Sequence, residues 1–322
     1  MKPSFHTRLL NGPFEDPGLY MRLLWEGRAL MFDLGHTDSL SPRDILKLTD
    51  IFVSHTHVDH FMGFDNILRI SLKKEGPLRL YGPEGFIDHV EGKFRGYTWN
   101  LTKDYPLVID VFEMTEQYIE HAVFKAGNRF QREDMEKRPS NGILLHDPFC
   151  KVSVRILDHE IPCLAFSLEE ECHININKAM LTDMGLTAGS WLSELKEAIR
   201  GNKFDAVITV EGRNLSFQDL REAVDITHGQ KLSYVVDVLG SEDNIKKIVE
   251  LVKGSDLLCI ETYFLESDKE KARERYHLTA REAGRIAREA GVGRMETLHF
   301  SPRYSDDPEA LVREAQEEFN GK

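Results

Sequence analysis

Short apolar runs, each closed by polar or turn-forming residues, alternate with amphipathic stretches along the chain. Residues 19–25 and 28–32 are largely apolar and flank Glu26-Gly27, which predicts a β-hairpin. Ser41-Pro42 predicts the start of a short helix, because serine is a good N-cap and proline fits the first helical position. The apolar run at 51–53 then predicts a buried strand.

The next segment predicts a helix, a strand and a second helix. Residues 61–72 predict an amphipathic helix whose apolar face carries Phe64, Ile67, Leu68 and Leu72. Residues 78–81 then predict a strand that ends at a Gly-Pro turn, and residues 86–94 predict the helix that follows.

Five short β-strand candidates follow at regular spacing through the middle of the chain. We expect them to form a second, antiparallel region beside the first sheet. They are residues 107–112, 122–126, 142–145, 152–157 and 163–168.

The second half of the chain returns to alternating strands and helices. Two helices are predicted first, at 176–184 and 190–199. The β-then-α order of the first half then repeats, so the two halves can stack as layers. The predicted strands are 206–210, 232–238, 257–260 and 295–298, and the predicted helices are 243–252, 269–275 and 280–290.

The heptad Ser-His-Thr-His-Val-Asp-His at residues 54–60 directly follows the strand at 51–53. In an extended loop His55 and His57 project to the same side and can grip one ion, while Asp59 and His60 follow at a turn and can face a second. Imidazole and carboxylate ligands suit Zn²⁺, and Mn²⁺ or Fe²⁺ accept the same set. Because open α/β sheets place their sites at the C-terminal ends of strands, the heptad predicts a metal loop there.

A centre with two metal ions needs more ligands than the heptad supplies, and three further candidates accompany apolar runs. His159 follows the strand at 152–157, although a surface histidine in a turn would have the same setting, and His299 follows the strand at 295–298. Asp237 interrupts an apolar run. A carboxylate is costly to bury there unless it is paired or metal-bound, so a bridging role between two ions is physically sensible.

The heptad and the order of the later motifs resemble the metallo-β-lactamase superfamily and, within it, the ribonuclease Z-like hydrolases. The resemblance spans residues 50–304, and it implies an α/β fold, a four-layer αβ/βα sandwich, formed by a single hydrolase domain of residues 1–322. The motifs are Leu-Asp-His at 157–159 with Ala-Phe at 165–166, Tyr-Val-Val-Asp at 234–237, Ile-Glu-Thr-Tyr-Phe at 260–264, Tyr-His-Leu-Thr at 276–279 and Leu-His-Phe-Ser-Pro-Arg-Tyr at 298–304.

The resemblance implies two divalent metal ions, with zinc first and manganese or iron as alternatives. It makes His159 the third histidine on the first metal, Asp237 the bridging ligand and His299 the last ligand of the second metal. With the heptad, the implied ligand set is His55, His57, Asp59, His60, His159, Asp237 and His299.

Three residues receive catalytic roles from the same resemblance. Asp59 would hold the second metal and orient the attacking water as a general base. His277 would stabilise a developing oxyanion or donate a proton to the leaving oxygen, although from the pattern alone it is only a histidine at the start of a predicted helix. Glu261 would orient a metal-site histidine, although the family usually has a histidine where this chain has Ile260.

Composition narrows the class of protein. The chain has 54 acidic and 41 basic residues and a formal net charge of −13, which argues against broad nonspecific binding to nucleic acid or anionic membrane, without excluding a local basic site. No stretch suggests a signal peptide or a membrane span, and the four cysteines form no Cys-x-x-Cys pair. We therefore expect a cytoplasmic protein with buried, reduced thiols, and the resemblance implies a homodimer.

Several other charged residues have ordinary expected roles. The basic residues between 125 and 138 are interleaved with Glu133, Asp134 and Glu136, so a solvated loop is expected there. The remaining histidines considered lack a strand-end setting and are expected in core or surface roles; they are His6, His89, His121, His146, His173 and His228.

Two departures from the ribonuclease Z pattern leave the substrate open. Residues 9–17 replace its Gly-Thr-Gly loop and carry Glu15 and Asp16, and Gly189-Ser190 replaces a Gly-Pro element of its tRNA-gripping arm. The leading hypothesis is a phosphodiesterase that cleaves precursor tRNA at its 3′ end, or a smaller phosphodiester, with a metal-bound hydroxide. The alternatives are a hydrolase of a carboxylic ester, thioester or lactone, and a metal-binding module without turnover.

Overall fold

The computed structural model describes residues 4–24 and 26–321, and within these ranges the backbone forms nineteen β-strands and eleven α-helices. Over the same residues, no helix combines the length and the apolar character that crossing a bilayer requires. The strands are β1 (Phe5–Leu9), β2 (Leu19–Leu23), β3 (Ala29–Phe32), β4 (Leu48–Phe52), β5 (Pro77–Pro83), β6 (Val108–Met114), β7 (Tyr118–Lys125), β8 (Arg132–Asp134), β9 (Arg138–Pro139), β10 (Ile143–His146), β11 (Cys150–Asp158), β12 (Pro162–Glu170), β13 (His173–Ile176), β14 (Ile208–Val210), β15 (Arg213–Leu215), β16 (Val224–Thr227), β17 (Lys231–Val235), β18 (Leu257–Glu261) and β19 (Met295–Leu298). The helices are α1 (Pro42–Ile45), α2 (Val58–Phe61), α3 (Phe64–Ser71), α4 (Phe86–Arg95), α5 (Lys178–Asp183), α6 (Trp191–Arg200), α7 (Phe217–Leu220), α8 (Glu242–Val252), α9 (Lys269–Glu274), α10 (Ala280–Glu289) and α11 (Pro308–Phe319).

The first sheet has the strand order β1-β2-β3-β4-β5-β6-β7-β8, with β9 beside β7. Its central strands β3 to β6 are parallel, so their C-terminal ends lie at one edge. The predicted hairpin is the antiparallel pair β2 and β3, although Trp25 itself lies outside the described residues. The helix predicted after it is α1, where the Ser41 side chain accepts a hydrogen bond from the Asp44 backbone N–H.

The second sheet has the order β10-β11-β12-β17-β18-β19. Its strands β17, β18 and β19 are parallel, and β10 to β12 join them in antiparallel pairs. The carboxyl ends of the three parallel strands therefore also lie at one edge of their sheet.

Hydrophobic packing arranges the two sheets and the helices in four layers. One core cluster joins the facing sides of the two sheets, where the rings of Phe32 and Phe52 lie 5.6 and 5.7 Å from that of Phe166. A second cluster packs α3 and α4 on the outer face of the first sheet, and a third packs α8, α10 and α11 on the second. The predicted four-layer αβ/βα sandwich is confirmed.

An insert of residues 173–227 leaves the second sheet after β12 and returns to it before β17. It contains two small antiparallel sheets, β13 with β16 and β14 with β15, together with α5, α6 and α7. Its apolar side chains form a separate cluster around Leu181, Leu195 and Leu220. The insert thus has its own small core.

The predicted second antiparallel region is wrong in its membership. The candidates at 107–112 and 122–126 became β6 and β7, which extend the first sheet, whereas the other three became β10, β11 and β12 of the second. The spacing of strands along the chain does not show which sheet each strand joins. β7 and β10 both correspond to short predicted strands, but they pair with strands of different sheets. Strand pairing is decided by nonlocal contacts.

The predicted helix at 61–72 is interrupted, and the structure has α2 and α3 in its place. The break lies at Gly63, whose backbone N–H donates to the Leu34 carbonyl at 2.8 Å. A Cβ at this position would lie 2.1 Å from the Gly35 carbonyl oxygen. The backbone at Gly63 therefore packs directly against the backbone at residues 34–35, and the helix is interrupted there. Only glycine permits so close a contact, because any Cβ would clash.

Two other predicted elements have different boundaries in the structure. Ile176 ends β13, and helix α5 starts later because the Asn177 side chain accepts hydrogen bonds from the Ala179 and Met180 N–H groups. The run 206–210 is not a fully buried strand, since only Ile208–Val210 is extended and Val207 is 65 % exposed. Tertiary environment rather than local composition sets these limits.

The four cysteine thiols are free, and three of them, Cys150, Cys163 and Cys259, are buried. Burial raises the pKa of Cys259 to about 12. Because a thiolate is the reactive species, we expect only the half-buried Cys172 to react promptly with a thiol reagent at neutral pH, and all four to react after denaturation. Counting labelled thiols by mass spectrometry, with Cys172→Ala as control, checks this expectation. Prompt labelling of Cys150 or Cys259 in the folded protein would contradict the packing between the sheets.

Candidate metal centre

The heptad lies at the C-terminal end of β4 and forms a loop that runs into α2. The Ser54 backbone N–H and hydroxyl donate to Asp33 at 2.6 and 2.8 Å and hold the start of the loop. His57 is the extended N-cap residue of α2, so Asp59 and His60 lie in the first turn of this helix. His55 and His60 are fully buried, whereas the His57 residue is exposed.

One group of possible ligands consists of His55, His57, His159 and Asp237, whose ligand atoms all lie within 4.8 Å of one another. Asp237 Oδ2 is 3.4 Å from His55 Nε2 and 3.6 Å from His159 Nε2. Four ligands about 2.1 Å from a zinc ion stand about 3.4 Å apart in a tetrahedron. The spacing therefore fits one metal ion among these side chains.

A second group consists of Asp59, His60 and His299. Asp59 Oδ2 is 3.4 Å from His60 Nε2 and 3.6 Å from His299 Nε2. Asp237 Oδ2 also lies 3.2 Å from His60 Nε2. The same carboxylate oxygen thus faces both groups.

The hydrogen bonding of these histidines also fits a cation. Within residues 4–24 and 26–321, the buried Nε2 atoms of His55 and His60 have no hydrogen-bond partner. Buried polar atoms normally have one, so an orphaned nitrogen that faces carboxylates in such a cluster indicates a metal ligand.

The other ring nitrogens are held from outside the cluster. His60 Nδ1 lies 2.9 Å from Asp33 Oδ2, and His159 Nδ1 lies 2.7 Å from the Tyr276 carbonyl oxygen. Each of these nitrogens donates to its oxygen partner, which leaves Nε2 free to face the centre.

Asp33 is a residue that sequence reasoning missed. It is fully buried and accepts hydrogen bonds from Ser54, from His60 Nδ1 and from the Tyr234 hydroxyl at 3.0 Å. A signal was available, since Asp33 is an acid directly after the apolar run of β3, the same pattern that marked Asp237. Its role is to hold the metal loop rather than to face the centre.

Four residues around the centre have left-handed backbone conformations: Asp33, Asp237, Tyr276 and His299 have φ values of 54°, 51°, 59° and 56°. Such values are uncommon for residues other than glycine and concentrate at functional sites. Asp237 also lies beyond the end of β17 at Val235, rather than inside a strand as its sequence setting suggested. The turn aims the carboxylate at the histidines.

His277 and Glu261 form a buried pair and, with Asp237 and His299, make up a third possible ligand group. His277 Nδ1 is 2.8 Å from Glu261 Oε2, whereas Glu261 is farther from the proposed ligand His299, at 3.7 Å. The other Glu261 oxygen accepts from the Val238 and Leu278 N–H groups. Glu261 therefore orients His277 first of all. His277 does not open a helix, because α10 begins at Ala280 with Thr279 as its N-cap.

Electrostatics favours the ionisation state that a ligand requires at His55 and Asp59, whereas at His60 and His299 the nearby Asp237 outweighs burial and raises the pKa. Burial, reinforced by His60, lowers the pKa of His55 to about 2, so this imidazole is neutral. Burial would raise the pKa of Asp59, but the neighbouring imidazoles of His299 and His60 outweigh it and hold the pKa well below its usual value. Burial also opposes ionisation of Glu261, and the neighbouring His277 outweighs it, so the pKa of Glu261 is lowered. Metal ligands must be deprotonated, and His55 and Asp59 meet this condition.

The other histidines behave as expected, whereas the charged segment at 125–138 does so only in part. Within the described ranges, none of the six other histidines assigned ordinary roles belongs to a ligand group. The segment 125–138 is not a simple loop as predicted, because residues 132–134 form β8 and pair with β7. Its charges are paired, Lys125 with Glu133 and Arg132 with Asp88 and Asp134, so they form no basic patch.

Comparison with known proteins identifies relatives along most of the chain. The chain is 31% identical over 315 residues to ribonuclease Z of Brevibacillus brevis, covering 94% of this chain and 86% of that protein. It is 28% identical over 297 residues to ribonuclease Z of Deinococcus radiodurans, covering 91% and 88%. No protein-family model matches the chain.

Solved structures share the fold at lower sequence identity. Human tRNase Z, short form, superposes with a TM-score of 0.55 at 20% identity and covers 94% of this chain and 93% of its own. The metallo-beta-lactamase fold protein YhfI from Bacillus subtilis superposes with a TM-score of 0.56 at 16% identity, covering 98% and 93%. Together with the relative of 31% identity, these findings show that the chain belongs to the ribonuclease Z family of metal-dependent hydrolases with the metallo-β-lactamase fold.

Proposed function

We propose that this protein is a di-metal phosphodiesterase that cleaves precursor tRNA at its 3′ end. The observation that carries the proposal is the position of Asp237, whose Oδ2 lies 3.2 to 3.6 Å from nitrogens of His55, His60 and His159. One carboxylate oxygen thus faces ligands of both groups, as a bridge between two ions requires.

The donor sets allot four ligands to each ion. His55, His57, His159 and Asp237 would hold the first, and Asp59, His60, Asp237 and His299 the second. Nitrogen and carboxylate donors at these spacings favour zinc, with manganese or iron as alternatives. When bound, a pair of divalent ions lowers the pKa of water to yield a hydroxide nucleophile and polarises a phosphoryl oxygen.

Asp59 is placed to act as the general base. Its side chain is 40 % exposed, so it faces solvent as well as His60 and His299. The carboxylate is ionised. We assign it, from its position rather than from its pKa, the proton of the attacking water, which it accepts while that water forms the new bond to phosphorus.

His277 serves the leaving group. Its Nδ1 is tied to Glu261, so Nε2 is the nitrogen available to donate a proton. The His277 side chain is 11 % exposed, so the ring reaches the surface but is largely shielded from solvent. As the bond from phosphorus to the leaving oxygen breaks, that oxygen takes the proton from His277.

The choice of tRNA as substrate is supported by relatives named ribonuclease Z. The loop of residues 11–17 reaches the centre, because the Pro13 carbonyl accepts from the Phe300 N–H directly after His299. Its two acids already have partners: Glu15 accepts from the Gly12 N–H, and Asp16 pairs with His36 at 2.8 Å.

We also propose that residues 1–322 act as one hydrolase domain, because the strand ends of both sheets supply ligands to the same centre. The homodimer stays a prediction from the family resemblance, and the cytoplasmic location stays a prediction from the sequence composition.

The test is cleavage of a 3′-extended precursor tRNA by protein loaded with Zn²⁺ or Mn²⁺, beside bis(p-nitrophenyl) phosphate and p-nitrophenyl acetate. Asp59→Ala and His277→Ala are assayed in parallel, with metal content measured for each. We expect the wild type to cut the precursor and the small diester. Each variant should lose on the order of 10²- to 10⁴-fold in rate, with both metals retained in His277→Ala.

Each other outcome removes part of the proposal. Cleavage of the small diester alone would exclude tRNA and keep the phosphodiesterase. Hydrolysis of the acetate ester alone would overturn the phosphodiesterase in favour of an ester hydrolase. Two bound metals with no turnover of any substrate would indicate a metal-binding module.

A further inference from the structure

The Tyr263 ring lies face to face with the imidazole of His277. The ring centroids are 3.8 Å apart and the planes differ by 3°. The same tyrosine ring lies 5.1 Å from the His299 ring, at an angle of 60°. Tyr263 therefore packs against both the side chain proposed as proton donor and a proposed metal ligand, whose own rings lie 5.7 Å apart. It belongs to none of the possible ligand groups of the described residues.

Backbone hydrogen bonds fix Tyr263 on both sides. Its carbonyl accepts from the Ser301 N–H at 3.2 Å, which ties it to the loop that carries His299. The next residue, Phe264, accepts from the Ala280 N–H at 2.7 Å, which ties it to the start of the helix after His277. The backbone that carries the half-buried Tyr263 ring is thus tied to the segments that carry His277 and His299.

A stacked ring supplies a restraint that Glu261 cannot supply. One hydrogen bond at Nδ1 fixes one point of the imidazole and leaves the ring able to swing about that contact. A parallel aromatic face at van der Waals distance removes the swing, because tilting the imidazole would drive it into the tyrosine ring. The two contacts together define the direction of His277 Nε2.

We propose that Tyr263 is a positioning residue for His277, acting through the face of its ring rather than through its hydroxyl. The inference rests on the proposed function, in which His277 donates a proton to the leaving oxygen. A proton donor must sit within hydrogen-bond reach of that oxygen, and a displacement of about 1 Å can cost on the order of 10²-fold in rate.

The test is a double-mutant cycle with Tyr263→Ala, His277→Ala and their combination, and with Tyr263→Phe as the matched control. Rates on 3′-extended precursor tRNA, whose alkoxide leaving group needs a proton, and metal content are measured for every variant. We expect Tyr263→Ala to lower kcat about 10- to 100-fold, to leave KM within about twofold, and to keep both metals. Tyr263→Phe retains the stacked face and should restore most of kcat. In the His277→Ala background, Tyr263→Ala should cause no further loss.

Two results would overturn the inference. The first is an equal loss from Tyr263→Ala with and without His277, since Tyr263 would then act independently of that histidine. The second is loss of metal from Tyr263→Ala, since the ring would then serve His299. If His277→Ala leaves kcat unchanged, the proposed role of His277 as proton donor is wrong. Whether Tyr263 positions the His277 ring is then tested by the crystal structure of Tyr263→Ala. An unmoved His277 ring in that structure contradicts the inference even if the wild type cleaves no phosphodiester.

Discussion

Replacing Asp237 by asparagine is expected to cause the largest loss of activity of any single substitution in the centre. The Asp237 carboxylate faces His55 and His159 on one side and His60 on the other, at 3.2 to 3.6 Å. A neutral amide of the same shape is a poor bridging ligand, so both proposed ions lose a shared anionic donor. We expect metal content to fall from two ions per chain to one or fewer, and kcat/KM to fall at least about 10³-fold, or about 4 kcal/mol.

The measurement combines elemental analysis of dialysed protein with hydrolysis of bis(p-nitrophenyl) phosphate. Asp243→Asn is the matched control, because this aspartate is 75 % exposed and pairs only with Lys247 on the surface of α8. The control should keep wild-type metal content and rate. If Asp237→Asn keeps two ions and loses less than tenfold in rate, Asp237 does not bridge metals.

Replacing Asp33 by asparagine is expected to have the largest effect on stability, although Asp33 faces no proposed metal. Four hydrogen bonds converge on its buried carboxylate, two of them from Ser54 and one each from His60 and Tyr234. An amide can accept only part of this set and leaves buried donors facing its NH₂ group. Asparagine tolerates the left-handed backbone, so the substitution tests the carboxylate rather than the turn.

We expect metal-free Asp33→Asn to lose about 3 kcal/mol in free energy of unfolding, measured by urea titration. Metal affinity should fall about 10- to 100-fold in competition with a chelator, because His60 Nδ1 loses its anionic acceptor. Asp110→Asn is the control, since Asp110 pairs with His121 at the same 2.9 Å but at a partly exposed position. It should cost less than about 1 kcal/mol. Equal effects of the two substitutions would show that burial of the network contributes nothing.

Much of the centre was predictable because its ligands follow apolar strands. The heptad after β4, His159 after β11 and His299 after β19 all stand where a strand ends, and the structure brings them together with Asp237. Most strands and helices were predicted within a few residues, because the twofold and 3.6-fold periods of apolar side chains are local properties.

Residues without such a local pattern were missed. Asp33 matters because Ser54, His60 and Tyr234 converge on it, and these partners lie 21, 27 and 201 positions away in sequence. The chain has nine tyrosines, and nothing in the sequence singles out Tyr263. Its stacking on His277, which is seen only in the structure, is what suggests a role for it. Contacts between side chains that are distant in sequence produce no periodic pattern of residues, so the sequence alone does not reveal them.

The sequence by itself determined the class of the fold, the family and the candidate metal ligands, since these depend on periodicity, on residue chemistry and on short motifs. Only the tertiary structure decided which sheet takes each strand between 107 and 168, where Gly63 interrupts a helix, and that Glu261 holds His277 more closely than a metal ligand. The physical reason is the range of the interactions. Strand pairing, close backbone approach and buried hydrogen bonds join residues far apart in the chain, and they exist only once the layers have packed.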